Sequence, residues 1–144
     1  MESAICQAYT LGRRFMGRLP HGQDVISAIG RFCRKNDIQM AAVSVHGAVS
    51  SVTLGTFDHQ QQVYVTVAEN GPLSFGACQG NISLKDERPF VYLSAVLSDV
   101  DGRTIAGRLF SETIVFAAEI DLQELHGPPL ARHYDAKTGM MLWK

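Results

Sequence analysis

Charge is scarce in this chain of 144 residues: 19% are Asp, Glu, Lys or Arg, against 46% hydrophobic. It is also balanced, since 13 basic and 14 acidic residues leave a net charge of -1 and a pI near 6.5. Domains that hold nucleic acid by neutralising phosphates are usually basic, so nucleic acid is not an expected partner unless another protein brings it. The one local basic group, Arg13, Arg14 and Arg18, reads as a solvated strand face. Cysteine is limited to Cys6, Cys33 and Cys78, an odd and widely spaced set without Cys-x-x-Cys. That argues against a disulfide framework and against a structural zinc site. No apolar run approaches a membrane span, and Met1-Glu2-Ser3-Ala4 carries no basic flank leading into one. The expectation is a cytoplasmic protein with no membrane partner. The glycines form no dinucleotide or phosphate-loop fingerprint, and there is no repeat, low-complexity tract or linker. What remains is one domain over residues 1–144, whose shortage of charge leaves apolar surface to bury between subunits.

Within that domain, strand patterns dominate. Ile5 to Leu11 and Arg14 to Leu19 are short strand-like runs, and Pro20-His21-Gly22 breaks the chain after them. Asp24 to Lys35 is the one convincing helix. Val25, Ile26, Ala28, Ile29, Phe32 and Cys33 fall at helical spacing, with Asp24 at the positive end and Arg34-Lys35 at the negative end. Ile38 to Val45 reads as a strand, Gly47 breaks it, and Val49 to Phe57 reads as the next. Val63, Val65 and Val67 alternate in Gln62 to Ala68, and Asn70-Gly71 is a hairpin signal before Leu73 to Leu84. Phe90 to Leu97 is apolar enough for a central strand, and Asp101-Gly102 is a second hairpin signal. Thr104 to Phe110 and Ile114 to Leu122 close the set. Many strands on short turns with one early helix give an α+β fold around a mostly antiparallel sheet.

Six segments then occur in a telling order: Arg18-Leu19-Pro20-His21-Gly22-Gln23-Asp24, Val43 to Ser50 around Gly47-Ala48, Gln79-Gly80-Asn81-Ile82-Ser83, Leu97-Ser98-Asp99-Val100-Asp101-Gly102, Ala118-Glu119-Ile120, and Arg132-x-x-Asp135-x-x-Thr138-Gly139. Together they resemble the PPC (plants and prokaryotes conserved) domain, over roughly Tyr9 to Leu142. The resemblance implies a mixed, strongly bent sheet with a helix against it, assembled as a homotrimer. The family often carries a DNA-binding label, and in plants the domain accompanies a separate AT-hook. No Arg-Gly-Arg-Pro occurs here, so that label does not transfer.

Many prokaryotic members of that family hold a metal with a His-x-His pair on the strand before the Asp-Gly hairpin and a third His after it. The resemblance places these positions at Tyr92, Ser94 and Arg108. A guanidinium has no lone pair to give and would repel a cation, so no metal and no cofactor is expected. A phenol, a hydroxyl and a fixed cation instead suit a carboxylate or phosphate. The bland alternative is that Arg108 pairs with an acid, from this chain or a neighbouring subunit, and merely fills the former cavity. The candidate pocket also includes Ser74, where the family often has Glu, and His46, which precedes Gly47-Ala48. Arg18 and Glu119 complete it, expected from their family-like positions to pair. The other histidines, His21, His59, His126 and His133, sit in turns, a loop and the tail without ligand spacing. Trp143, after Met140-Met141-Leu142, is expected to dock on the core or on a neighbouring subunit.

Three functions follow as expectations. The first is a trimeric binding module for a small anionic ligand or a protein partner. The second is a metal-independent enzyme acting on a keto or hydroxy acid, since the PPC fold resembles acetolactate decarboxylase and Arg108 could stabilise developing charge. The third is a DNA-associated regulator, as the family label suggests.

Overall fold

The computed structural model describes residues 2–144. Strands β1 (Thr10–Leu19), β2 (Ala41–Asp58), β3 (Val63–Lys85), β4 (Arg88–Ser98) and β5 (Thr104–His126) form one sheet in the order β1-β5-β2-β3-β4. Every ladder in it is antiparallel. The first part of β5 also pairs with β4, Ser94 facing Arg108 and Ser98 facing Thr104, so β5, β2, β3 and β4 close into a ring. A hairpin of two four-residue strands, β6 (Arg132–Asp135) with β7 (Met140–Trp143), forms a separate small sheet docked against β3. The fold is the expected α+β arrangement of one helix on a bent sheet.

Helix α1 (Val25–Lys35) forms where its apolar spacing places it, burying Val25, Ala28, Ile29 and Cys33. Asp24 is its N-cap and does more than favour the dipole. One carboxylate oxygen accepts from the Ser27 amide at 2.9 Å and from the Ser111 hydroxyl at 2.8 Å. The other accepts from the Thr113 amide at 2.7 Å, tying the helix start to β5. The apolar stripe meets the inward face of the sheet, where Leu93, Leu97, Leu109, Val115 and Leu122 are fully shielded from water. Burial pushes the thiols of Cys33 and Cys78 up to about 12, which leaves both as inert packing groups. The helix is 11 residues long, and among the described residues no helix is long and apolar enough to cross a membrane.

Several expected breaks are not breaks. Asn70-Gly71 makes no hairpin, because β3 runs straight through it with Asn70 opposite Ser51 and Leu73 opposite Val49. The chain on both sides pairs with the same long β2, so reversal there would strip a ladder already formed. Gly47 likewise lies inside β2, as an irregularity at φ 115° between the register pairs of Ser44 and Ala48. Ile5 to Tyr9 form no strand, and Thr104 to Phe110 and Ile114 to Leu122 are one bent β5. Asp101-Gly102 does turn the chain: the Asp99 carboxylate accepts from the amides of Asp101 and Arg103, and Gly102 takes φ 83°.

Candidate functional site: an arginine stacked among aromatic rings

Side chains alternate along a strand, so burial of Val91, Leu93 and Ala95 turns Tyr92 and Ser94 to the opposite face of β4. β5 does the same, with Leu109 inward and Arg108 and Phe110 outward. Register then sets Arg108 directly beside Ser94 on one side and Gly55 of β2 on the other. Tyr92, Ser94 and Arg108 line one cleft of about 460 Å3, together with Tyr64, Gln79 and Met140. The three positions assigned from the family resemblance do converge.

The guanidinium of Arg108 is packed by rings. Its Cζ lies 4.4 Å from the centroid of Tyr92, 4.6 Å from Phe110, 4.9 Å from Tyr64 and 5.5 Å from Phe90. Phe57, Tyr64 and Phe110 form a continuous wall of edge-to-face contacts at 5.1 Å. Gly55 makes room for that wall: a Cβ there would meet Phe110 Cδ2 at 3.0 Å and Tyr64 Cδ1 at 3.3 Å. Each stacked cation gains about 0.5–2 kcal/mol from a ring face. The rings offer no hydrogen-bond acceptor to the guanidinium beyond their faces, and its N–H groups lie in its own plane. Among the described residues none accepts a hydrogen bond from Arg108, and its Nε is buried without a partner.

A second arginine, absent from the sequence-based set, stands on the same phenol. Arg132 is only 8% exposed, and its Cζ lies 4.7 Å from Tyr92 and 4.8 Å from Trp143. It donates to the Met141 carbonyl and the Asn81 side chain, while its Nε is also buried and unpartnered. Trp143 docks as expected, donating to the Ser83 hydroxyl at 3.0 Å. Burial lowers the pKa of Arg132 from its ordinary value, and the nearby charge of Arg108 adds to that. Burial raises the pKa of Tyr92, helped by Tyr64, whose hydroxyl lies 3.5 Å away, so Tyr92 remains a neutral phenol at pH 7 despite two flanking cations. The Arg132 signal in the sequence was its tail motif; nothing in that motif says which strand the tail crosses.

The remaining candidates lie elsewhere. Glu119 stands opposite Arg18 on one side and His46 on the other, so these three form a row across β1, β5 and β2. All three are exposed, and no ion pair joins Arg18 to Glu119. Ser74 is exposed beside Ala48 and Ser98. None of the four lines the Arg108 cleft. The donor set at Tyr92, Ser94 and Arg108 does not fit a metal ion. Among the described residues no three His, Cys, Asp or Glu side chains converge on one.

The sequence profile of the Plants and Prokaryotes Conserved (PCC) domain matches residues 6–126. A metal-containing protein from Archaeoglobus fulgidus superposes with a TM-score of 0.94 at 33% identity, covering 98% of this chain and 99% of its own. A plant- and prokaryote-conserved (PPC) protein from Pyrococcus horikoshii gives 0.92 at 33% identity, over 98% and 97% of the two chains. A candidate DNA-binding protein from Bacteroides thetaiotaomicron gives 0.84 at 20% identity, over 94% and 96%, a likeness of fold alone. Comparison with curated proteins gives no significant match.

Proposed function

The chain belongs to the Plants and Prokaryotes Conserved domain family, and from that premise we propose that it is a non-catalytic binding module whose ligand is a small anion held by Arg108. The observation that carries the reading is a guanidinium with four ring contacts, no carboxylate and a buried Nε that lacks an acceptor. The terminal N–H groups of Arg108, which also find no acceptor among the described residues, are the donors that an anion would meet. Ser94 and Gln79 supply further hydrogen-bonding groups, and the aromatic wall supplies apolar contact. One relative at 33% identity is a metal-containing protein; in this chain Arg108 would supply a permanent cation of the protein's own.

We place the homotrimer and the cytoplasm in the same proposal. Met16 at 77% exposure and Phe116 at 59%, with Val65 and Val67, give the single chain apolar surface that assembly would cover. All three cysteines are free. The test is calorimetric titration of the purified protein with small carboxylates and phosphates, repeated on Arg108→Ala. The reading expects affinity for at least one anion, reduced about 10- to 100-fold in the variant at unchanged oligomer mass. Equal affinity in both proteins would refute it.

A further inference from the structure

Phe90, at the start of β4, is surrounded by three cations. Lys85 Nζ lies 5.2 Å from its ring centroid, Arg108 Cζ 5.5 Å and Arg132 Cζ 5.8 Å. Among the described residues the ion pairs engage Arg13, Arg14, Arg103, His126, Lys137 and Lys144, and none engages these three. Asp86 and Glu87 follow Lys85 directly but form the exposed turn between β3 and β4 and make no ion pair. One ring therefore gathers three like charges with no counter-charge, in a place where Arg132 is almost wholly shielded from water. A single carboxylate would answer Arg108 and leave the other two uncompensated.

We propose that the natural ligand is an organic phosphomonoester, a dianion whose phosphate meets the Lys85, Arg108 and Arg132 cluster at Phe90. The proposal rests on the anion-binding reading of Arg108 and narrows it to one ligand class. A phosphate dianion offers three terminal oxygens, enough for the in-plane donors of a guanidinium and the point charge of an ammonium together. The buried Arg132 acts through its charge, since its terminal nitrogens already serve Met141 and Asn81. Lys85 and Arg108 line a second cleft, of about 490 Å3, which shares Arg108, Phe57, Tyr64 and Met140 with the first and is further walled by Phe110. That apolar lining leaves space for a flat organic group beyond the phosphate and sets the class apart from inorganic phosphate.

The experiment titrates the full chain with phenyl phosphate, with the methyl ester of phenyl phosphate, and with benzoate, so that aromatic bulk is held and charge varies. Phenyl phosphate is expected to bind at least about tenfold tighter than either monoanion. Lys85→Met, and Lys85→Gln as a second variant with the same thermal midpoint, should shrink that preference to about threefold or less. Arg108→Ala should weaken binding of all three by about 10- to 100-fold. If benzoate binds as tightly as phenyl phosphate and the Lys85 variants change nothing, the phosphomonoester class is overturned while anion binding at Arg108 stands. If none of the three binds and Arg108→Ala instead breaks the oligomer, both readings fall, and an acid from a neighbouring subunit is what neutralises the cluster.

Discussion

At the β1–β5 edge, Arg13 donates from Nε and Nη2 to the two carboxylate oxygens of Glu124, each at 2.9 Å, and its amide adds a third bond to the same group. His126 closes the arrangement at 3.1 Å, and the Arg13 side chain above it remains half exposed. At the β4–β5 junction, Arg108 and Arg132 sit on aromatic faces and meet no carboxylate. The first arrangement spends every acceptor it has on holding two strands together. The second packs its cations against rings: Arg132 spends its terminal donors on Met141 and Asn81, and Arg108 leaves its own for something else. An arginine forked by an acid is a structural clasp; an arginine stacked on rings is a presented charge.

Substitutions can separate the two arrangements. The largest effect is expected from Arg132→Ala, which removes two hydrogen bonds and contacts with three rings from a buried position. It should lower stability by about 2–4 kcal/mol in denaturant unfolding. It should also shift the emission of Trp143, the one tryptophan, to the red as the β6–β7 hairpin loosens. An unchanged spectrum would mean that the hairpin is held without Arg132. Next is Gly55→Ala, which pushes a methyl into the rings of Phe110 and Tyr64. About 1–3 kcal/mol of stability should go with it, along with anion affinity, whereas loss of stability alone would uncouple the aromatic wall from Arg108.

The clasp is broken by pH rather than by ligand. The Arg13 fork holds the Glu124 carboxyl at about 2, below its ordinary 4.5. Because the folded value is the depressed one, this contribution is complete above about pH 4.5 and disappears as pH falls toward 2. The thermal midpoint should therefore fall across that window, and Glu124→Gln, less stable at pH 7, should show a shallower fall; parallel curves would remove the clasp from the account. The smallest effect belongs to Arg14→Ala. Its fork to Asp121 is exposed on the arginine side, and the midpoint should move by no more than about 4 °C. A larger loss there would blur the line between the two kinds of arginine.

Legibility differed by the range of the interaction. Helix α1 and the Asp101-Gly102 turn could be read because the residues that decide them are neighbours in the chain. Asn70-Gly71 carries the same local signal and forms no hairpin, since pairing with Ser51 and Val49 on β2 outweighs two permissive residues. The real turn between β3 and β4 uses Asp86 and Glu87 at positive φ, which their side chains do not advertise. Tyr92, Ser94 and Arg108 were legible as a group through the family's pattern. Arg132 and Lys85 were not, because neither gains meaning until the tail hairpin and the end of β3 arrive beside Phe90.

The sequence by itself determined an α+β domain of the Plants and Prokaryotes Conserved family and its one amphipathic helix. Those follow from residue spacing and from the order of the family's motifs, and the same resemblance is what singled out Arg108, a side chain that cannot coordinate a cation. Only the tertiary structure decided that this arginine meets no acid among the described residues and shares its rings with two more cations. That is a matter of which distant strands close around it, and unpaired charge is defined by what does not arrive.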